Sequence, residues 1–162
     1  MMHVRLHILN ASGAFDPVAS LIEDEFAKST KTIREQLKRT LAHELHHCMR
    51  WRNPGYGETL LEALVSEGLA DHFDLEINGG NLQPWCTALG KEEMMVFSKK
   101  AEREYTVKKY DHGRWFFGSS PKEIPRWAGY TLGFDLVKKY LAKHPAESAA
   151  SLVHVPAREI LI

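Results

Sequence analysis

The sequence predicts a mainly α-helical domain, of the α+β class, with a small β element near its amino terminus. Apolar residues recur every four positions from Ile33 to Leu45, which is typical of one helix face, and residues 59–79 form a second helical run. Alternation of apolar and polar residues, typical of a half-buried strand, occurs in residues 4–8. The 162 residues show no internal repeat or linker, so we expect a single domain over residues 1–162.

The first 30 residues are predicted to contain this strand and one helix. The alternating residues 4–8 precede a turn-forming stretch that contains a glycine. Asp16 followed by Pro17 is typical of a helix N-cap with proline at the first helical position. The helix that begins there is expected to end near Phe26.

The two strongest predicted helices follow. The first begins at a capping box formed by Thr32 and Glu35, and we expect it to run to Trp51 and stop at residues 53–55, which contain a proline. Its apolar residues predict a stripe that faces the core: Ile33, Leu37, Leu41 and Leu45. The second is expected over residues 59–80, where two glycines end it.

The remaining chain is predicted to alternate loops and helices. Residues 91–110 are charged and favour an exposed helix, whereas residues 113–125 resemble a loop whose aromatic side chains are partly buried. Residues 127–143 have apolar residues at helical spacing. Pro145 and Pro156 are expected to bracket a short terminal helix.

Composition excludes several classes of protein. The 21 basic residues equal the 21 acidic ones, so the chain lacks the positive excess that nucleic-acid binding requires. Two cysteines cannot form a disulfide framework. No apolar run is long enough for a signal peptide or a membrane span, so we expect a soluble, cytoplasmic protein that binds neither nucleic acid nor membrane. Nine histidines are the unusual feature, because histidine is the commonest metal ligand.

A metal-binding motif lies inside the strongest predicted helix. Residues 43–47 match the pattern H-E-x-x-H. Because residues four apart lie one turn above each other, His43 and His47 can reach the same ion. Glu44 flanks that face of the helix, whereas Leu45 points towards the predicted apolar stripe.

The second helix offers a third ligand. Glu62 and Glu67 lie about 140° apart on a helix that turns about 100° per residue, so they cannot share a face. Glu67 is favoured because Asp71 follows one turn later and can accept a hydrogen bond from the outer nitrogen of a ligand histidine. The small residues Ala63 and Gly68 are predicted to let this helix approach the first one closely.

The spacing of these residues resembles a known class of enzymes. His43, Glu44 and His47, then nineteen intervening residues, then Glu67 with Asp71 four later, form the pattern of the thermolysin-type gluzincins. The chain departs from that class upstream, where thermolysin-like enzymes carry a larger sheet.

Longer segments resemble a narrower family. Residues 42–47, 62–70 and 127–133 are similar to a family of small predicted zinc-dependent proteases, long labelled a domain of unknown function. The resemblance covers roughly residues 35–162 and implies a minimal zincin-like fold, a helical bundle around the H-E-x-x-H helix.

The resemblance also implies a set of roles. It implies that Zn²⁺ is bound by His43, His47 and Glu67, and that Glu44 is the catalytic base. Gluzincins usually supply a further side chain that hydrogen-bonds the oxyanion of the tetrahedral intermediate. Tyr130 is our candidate, because glycines on either side of it permit close helix packing; His112 and Arg126 are the alternatives.

Two residues in and beside the motif, His46 and Cys48, are not expected to bind the metal. His46 is expected to support the site from outside the ligand set or to lie on the surface. Cys48 lies beside the predicted apolar stripe and is expected to be a buried, inert thiol.

The function that these patterns favour is a zinc-dependent metallopeptidase that hydrolyses peptide bonds of a peptide or protein substrate. One alternative keeps the zinc but cleaves a non-peptide amide or ester. The other is a non-catalytic helical interaction module that zinc stabilises. Glu44 argues against this module, because a structural zinc site needs no base.

Overall fold

A computed structural model of the chain describes residues 31–118 and 123–161. Contacts divide the chain into two compact units, residues 1–38 and 39–162. The strand predicted in residues 4–8 and the helix predicted after Asp16 lie outside the described residues. The single domain over residues 1–162 stays a prediction.

The described residues are mainly helical, as the sequence predicts. They form five α-helices: α1 (Lys31–Arg52), α2 (Leu60–Asn78), α3 (Lys91–Glu104), α4 (Ala128–Lys143) and α5 (Ala157–Ile160). Three shorter turns connect them: a 3₁₀ turn at Pro84–Thr87, a π turn at Gly113–Phe117 and a 3₁₀ turn at Ser151–His154. Within residues 31–118 and 123–161, extended pairing is limited to an isolated bridge between Thr59 and Lys108. None of the described helices is both long and apolar enough to cross a membrane.

Several predicted helix bounds are confirmed and two are wrong. α1 ends just before the predicted proline stop, and α2 and α4 lie where the periodicity placed them. α3 ends at Glu104 rather than near residue 110. The terminal helix α5 begins after Pro156, because the segment between the two prolines forms only a 3₁₀ turn.

Helix α1 turns a different face inward from the one predicted. Leu41 and Leu45 are 37% and 48% exposed, so the prediction that they face the core is wrong for the described structure. Ala42, His46 and Arg50 are buried instead. The buried polar side chains hydrogen-bond to other elements, His46 through Nε2 and Arg50 through its guanidinium group, which offsets part of the cost of removing them from water.

Helix α2 is the centre of the fold. Thr59 caps its amino terminus in a capping box with Glu62, and Gly79, at a φ of 62°, ends it. Nearly every residue from Leu60 to Asp71 is buried. A helix buried on all sides must have neighbours on all sides, and α2 separates two apolar clusters. One contains Leu60, Leu64, Trp115, Phe116 and Leu132; the other contains Val65, Leu69, Val137, Leu152 and Ile160.

Two glycines allow α2 and α4 to cross closely. A Cβ atom on Gly68 would overlap the carbonyl group of Gly133, and one on Gly133 would overlap the carbonyl oxygen of Leu64. The prediction that Gly68 serves the contact with α1 is therefore wrong, since its partner is α4. The prediction that glycine beside Tyr130 permits close packing is confirmed at Gly133.

Candidate metal centre

The three predicted ligands lie together where α1 packs against α2. His43 Nε2 is 3.0 Å from His47 Nε2 and 3.2 Å from Glu67 Oε2. His47 Nε2 is 3.5 Å from Glu67 Oε2. Ligand atoms bound tetrahedrally to zinc at about 2.0–2.2 Å lie roughly 3.4 Å apart. The separations of the three side chains therefore match the shape of one tetrahedral zinc site, and the group can hold a metal ion.

The hydrogen bonds of these side chains favour a positive charge between His43 and Glu67. The hydrogen bond between His43 Nδ1 and Asp71 Oδ1, at 3.0 Å, gives neutral His43 a lone pair on Nε2, facing Glu67. A lone pair and a carboxylate repel each other unless a proton or a metal ion lies between them. Burial alone would lower the pKa of His43, but its hydrogen bonds to Asp71 and Glu67 outweigh burial and raise the pKa to about 10. Burial alone would raise the pKa of Glu67, but its bonds to the two histidines hold it well below the usual range.

Asp71 lies behind the ligands, where the sequence places it. Its carboxylate accepts hydrogen bonds from His43 Nδ1, from Trp85 Nε1 at 3.0 and 3.1 Å, and from Cys86 Sγ at 3.5 Å. These donors fix the orientation of the carboxylate, and through it the ring plane of His43. The sequence analysis assigned no role at the site to Trp85 or Cys86, because neither has a recognisable spacing to the motif.

Tyr56 is a site residue that the sequence analysis missed. It lies in the loop between α1 and α2, and its hydroxyl donates a hydrogen bond of 2.6 Å to Glu67 Oε1. This bond occupies one carboxylate oxygen and leaves Oε2 facing the two histidines. Burial, together with the negative charge of Glu67, raises the pKa of the Tyr56 phenol, so it remains a donor. Its one sequence signal is a hydroxyl-bearing aromatic residue in the loop that joins two ligand-bearing helices.

A cavity of about 400 Å³ opens beside the ligands, and Glu44 and Tyr130 line it. Glu44 is exposed and is not one of the three grouped ligands. Burial raises the pKa of the Tyr130 phenol, which keeps its proton available for donation. The structure does not bring the two alternatives to the cavity wall. His112 stacks on Phe116 at 4.4 Å and hydrogen-bonds to Tyr110, and the guanidinium group of Arg126 lies 4.4 Å from the ring centroid of Trp127.

Two further residues of α1 differ in environment. His46 is buried with its Nε2 3.2 Å from the carbonyl oxygen of Ala149, and burial lowers its pKa to about 4, so the ring is neutral. Cys48 is exposed and lines the cavity, so the prediction of a buried thiol is wrong. Its side chain lies on the cavity side of α1 because it follows Glu44 by one turn.

The side chain of Glu62 caps the amino terminus of α2 and does not join the ligand group. Its Oε2 atom accepts hydrogen bonds of 2.9 Å from the backbone N–H groups of Glu58 and Thr59. These bonds belong to the amino-terminal cap of α2 and pull the side chain towards the start of the helix. The structure therefore brings Glu67, and not Glu62, to the two histidines.

Arg50 and Arg39 fix α1 against the rest of the second unit. Arg50 is 1% exposed, and its guanidinium group donates to Ser66 Oγ and to the carbonyl oxygens of Val153 and Val155. Arg39 pairs with Asp74 of α2 through two N–H groups, at 2.8 and 2.5 Å. These contacts lie before and after the H-E-x-x-H motif and hold its helix in register with α2.

Comparison with known proteins gives one family and two relatives. A family model described as predicted Zn-dependent protease (DUF2268) matches residues 22–162. The uncharacterized protein YjaZ of Bacillus subtilis (strain 168) is 30% identical over 128 residues, which cover 75% of this chain and 48% of YjaZ. The uncharacterized protein YjfC of the same organism is 27% identical over 117 residues, covering 64% of this chain and 39% of YjfC. The chain thus spans half or less of the length of these relatives, and no solved structure matches it.

Proposed function

The chain belongs to the DUF2268 family of predicted zinc-dependent proteases, and from this premise we propose that it is a zinc metallopeptidase of the gluzincin type. We further propose that the fold is a minimal zincin-like scaffold, in which α1 and α2 supply the site, and that the substrates are peptides or proteins. The observation that carries it is the grouping of His43, His47 and Glu67 beside a cavity that Glu44 lines.

The residues fit zinc, and each has a role when the metal is bound. Nε2 of His43, Nε2 of His47 and Oε2 of Glu67 would hold it. Two imidazoles and one carboxylate are a donor set that suits zinc. Bound zinc supplies Lewis acidity, which activates a water molecule and polarises the scissile carbonyl.

The chain's own groups move the protons. The Glu44 carboxylate accepts a proton from the attacking water, whose oxygen bonds to the carbonyl carbon. Glu44 then delivers that proton to the nitrogen of the leaving amine as the C–N bond breaks. Tyr130 donates a hydrogen bond to the oxygen that becomes negative. Asp71 orients His43, and Tyr56 orients Glu67.

The open cavity supports a catalytic metal over a purely structural one. A structural zinc site is closed by a fourth protein ligand, usually cysteine or histidine. Within the described residues, the grouped ligands number three, and Cys48 and His46 are not among them. Glu44 has no use in a closed site, whereas a base beside an open position is what hydrolysis requires.

A cytoplasmic location is also part of the proposal. Both cysteines are free thiols, and Cys48 is exposed. Exposed free thiols are typical of proteins in a reducing compartment, where disulfides do not persist.

The test combines metal analysis with one conservative substitution. Zinc content of the purified protein and cleavage of a peptide library, with and without a chelator, establish whether the metal is needed. Glu44→Gln should keep zinc stoichiometry and unfolding temperature and lose activity by about 10²–10⁴-fold, because only the proton acceptor is removed. Full hydrolysis by zinc-loaded Glu44→Gln would contradict the mechanism. Absence of hydrolysis by the unsubstituted protein on peptides, amides and esters would favour the interaction module.

A further inference from the structure

The cavity extends beyond the metal ligands along α1. Glu44, Cys48 and Trp51 all line it and follow each other at intervals of four and three residues, so they share one helix face. Trp51 is 68% exposed, although it is the largest apolar side chain of this helix. A large aromatic ring in the wall of a cavity beside a candidate active site offers apolar area that a bound ligand can cover.

Aromatic rings from three parts of the chain form the walls of this region. Trp51 lies with its ring centroid 6.3 Å from that of Tyr56, at an angle of 35°. The ring of Tyr130 packs against Phe116 at 5.0 Å and Trp85 at 6.2 Å, which fixes its position. We call the region lined by Cys48, Trp51, Tyr56 and Tyr130 the aromatic pocket.

The charge of the lining disfavours an acidic occupant. Beside the three grouped ligands and Glu44, the described residues that line the cavity are all uncharged. Among them there is no lysine or arginine to pair with an acidic side chain. An aromatic side chain suits a lining that contains three aromatic residues, since offset and edge-to-face ring pairs at 4.5–7 Å add to the gain from burial.

We propose that the aromatic pocket binds an aromatic side chain of a peptide substrate close to the bond that is cleaved. This inference rests on the proposed function, because it places the reacting bond beside Glu44. Trp51 lies seven positions after Glu44 on the helix, a rise of about 10 Å. An extended peptide covers that distance in about three residues. The aromatic residue therefore lies within about three positions of the scissile bond.

A pair of metal-directed ligands tests the pocket without requiring turnover. Acetohydroxamate and 3-phenylpropionohydroxamate share the same metal-binding group and differ in a phenyl ring on a two-carbon spacer. Their dissociation constants are measured by calorimetry on the zinc-loaded full chain. The phenyl compound is expected to bind at least tenfold more tightly. In Trp51→Ala this ratio should fall to about threefold or less, with zinc stoichiometry retained.

Met95→Ala is the matched control, because Met95 is similarly exposed, at 57%, but lies on α3 and does not line the cavity. It should keep the ratio of the unsubstituted protein. Equal binding of the two compounds, or a ratio that survives in Trp51→Ala, would overturn the aromatic pocket. Failure of both compounds to bind the zinc-loaded chain would instead contradict the open metal site of the proposed function, and the pocket with it. A preserved tenfold ratio in a protein that hydrolyses no peptide would refute the peptidase proposal and leave the pocket as a binding site for an aromatic group, so the two failures are distinguishable.

Discussion

Tyr56→Phe removes one hydroxyl group and no other atom from the candidate metal centre. That hydroxyl donates to Glu67 Oε1 at 2.6 Å, and Glu67 is buried. Without it, one oxygen of an ionised, buried carboxylate loses its donor. The carboxylate can then rotate about its terminal torsion and no longer presents Oε2 to the histidines in a fixed position.

The magnitude follows from the kind of bond removed. A hydrogen bond to a charged group contributes about 1.5–3 kcal/mol. The bond also exists without the metal, so its full energy sets the upper limit of the loss: since each 1.4 kcal/mol is a factor of ten in an equilibrium constant, zinc affinity should fall by up to about 100-fold. Losses of this size are typical when a residue that supports a metal ligand is removed.

Competition with a chromophoric zinc chelator measures the change directly. Tyr130→Phe is the matched control, because it removes the same atom from a tyrosine that lines the same cavity. It should leave zinc affinity unchanged and lower the rate of hydrolysis. Unchanged zinc affinity in Tyr56→Phe, or an equal loss in both variants, would refute the reasoning that Tyr56 positions Glu67.

Three further predictions concern the ligands, their support and the helix crossing. Alanine at any of the predicted ligands His43, His47 and Glu67 should abolish stoichiometric zinc binding. Glu62→Ala should retain it, and metal analysis of the purified variants measures both. Asp71→Asn should keep the fold, measured by circular dichroism, and weaken zinc affinity or turnover by roughly 10–100-fold; values equal to those of the unsubstituted protein would contradict its role. Gly133→Ala should lower the free energy of unfolding in urea by at least about 1–3 kcal/mol, because its Cβ overlaps backbone of α2. Gly113→Ala, whose Cβ would meet its nearest atom at an ordinary 3.4 Å, should cost far less.

Local periodicity was sufficient to predict the grouping of the candidate ligands. A helix brings residues four apart onto one face whatever its surroundings, so His43 and His47 could be paired from sequence. The same rule separated Glu67 from Glu62 and placed Asp71 one turn beyond Glu67. The carboxyl end of α1 could also be predicted from local sequence, because proline cannot continue a helix.

Contacts between elements could not be predicted in this way. Tyr56 reaches Glu67 from a loop whose path depends on how α1 and α2 pack, and no periodic pattern describes that path. Gly68 could be recognised as a close-packing residue, but the sequence does not say which helix approaches it. Trp85 meets Asp71 only because the turn after α2 folds back on that helix, which is again a tertiary feature.

The inward face of α1 shows why the leucine stripe was misleading. Periodicity identifies an apolar face, and burial of that face is the usual outcome because it gains from the hydrophobic effect. In α1 the polar face is buried instead. This burial brings Arg39, His43 and Arg50 to acceptors on α2 and on the segment around Val153, each at hydrogen-bond distance. Buried polar groups are favourable only when their partners are all present, since an unpaired one loses its hydration without compensation. Each of these contacts therefore depends on the same placement of α1 against α2 that brings His43 and His47 to Glu67, and the network that holds the helix is also the one that shapes the metal centre.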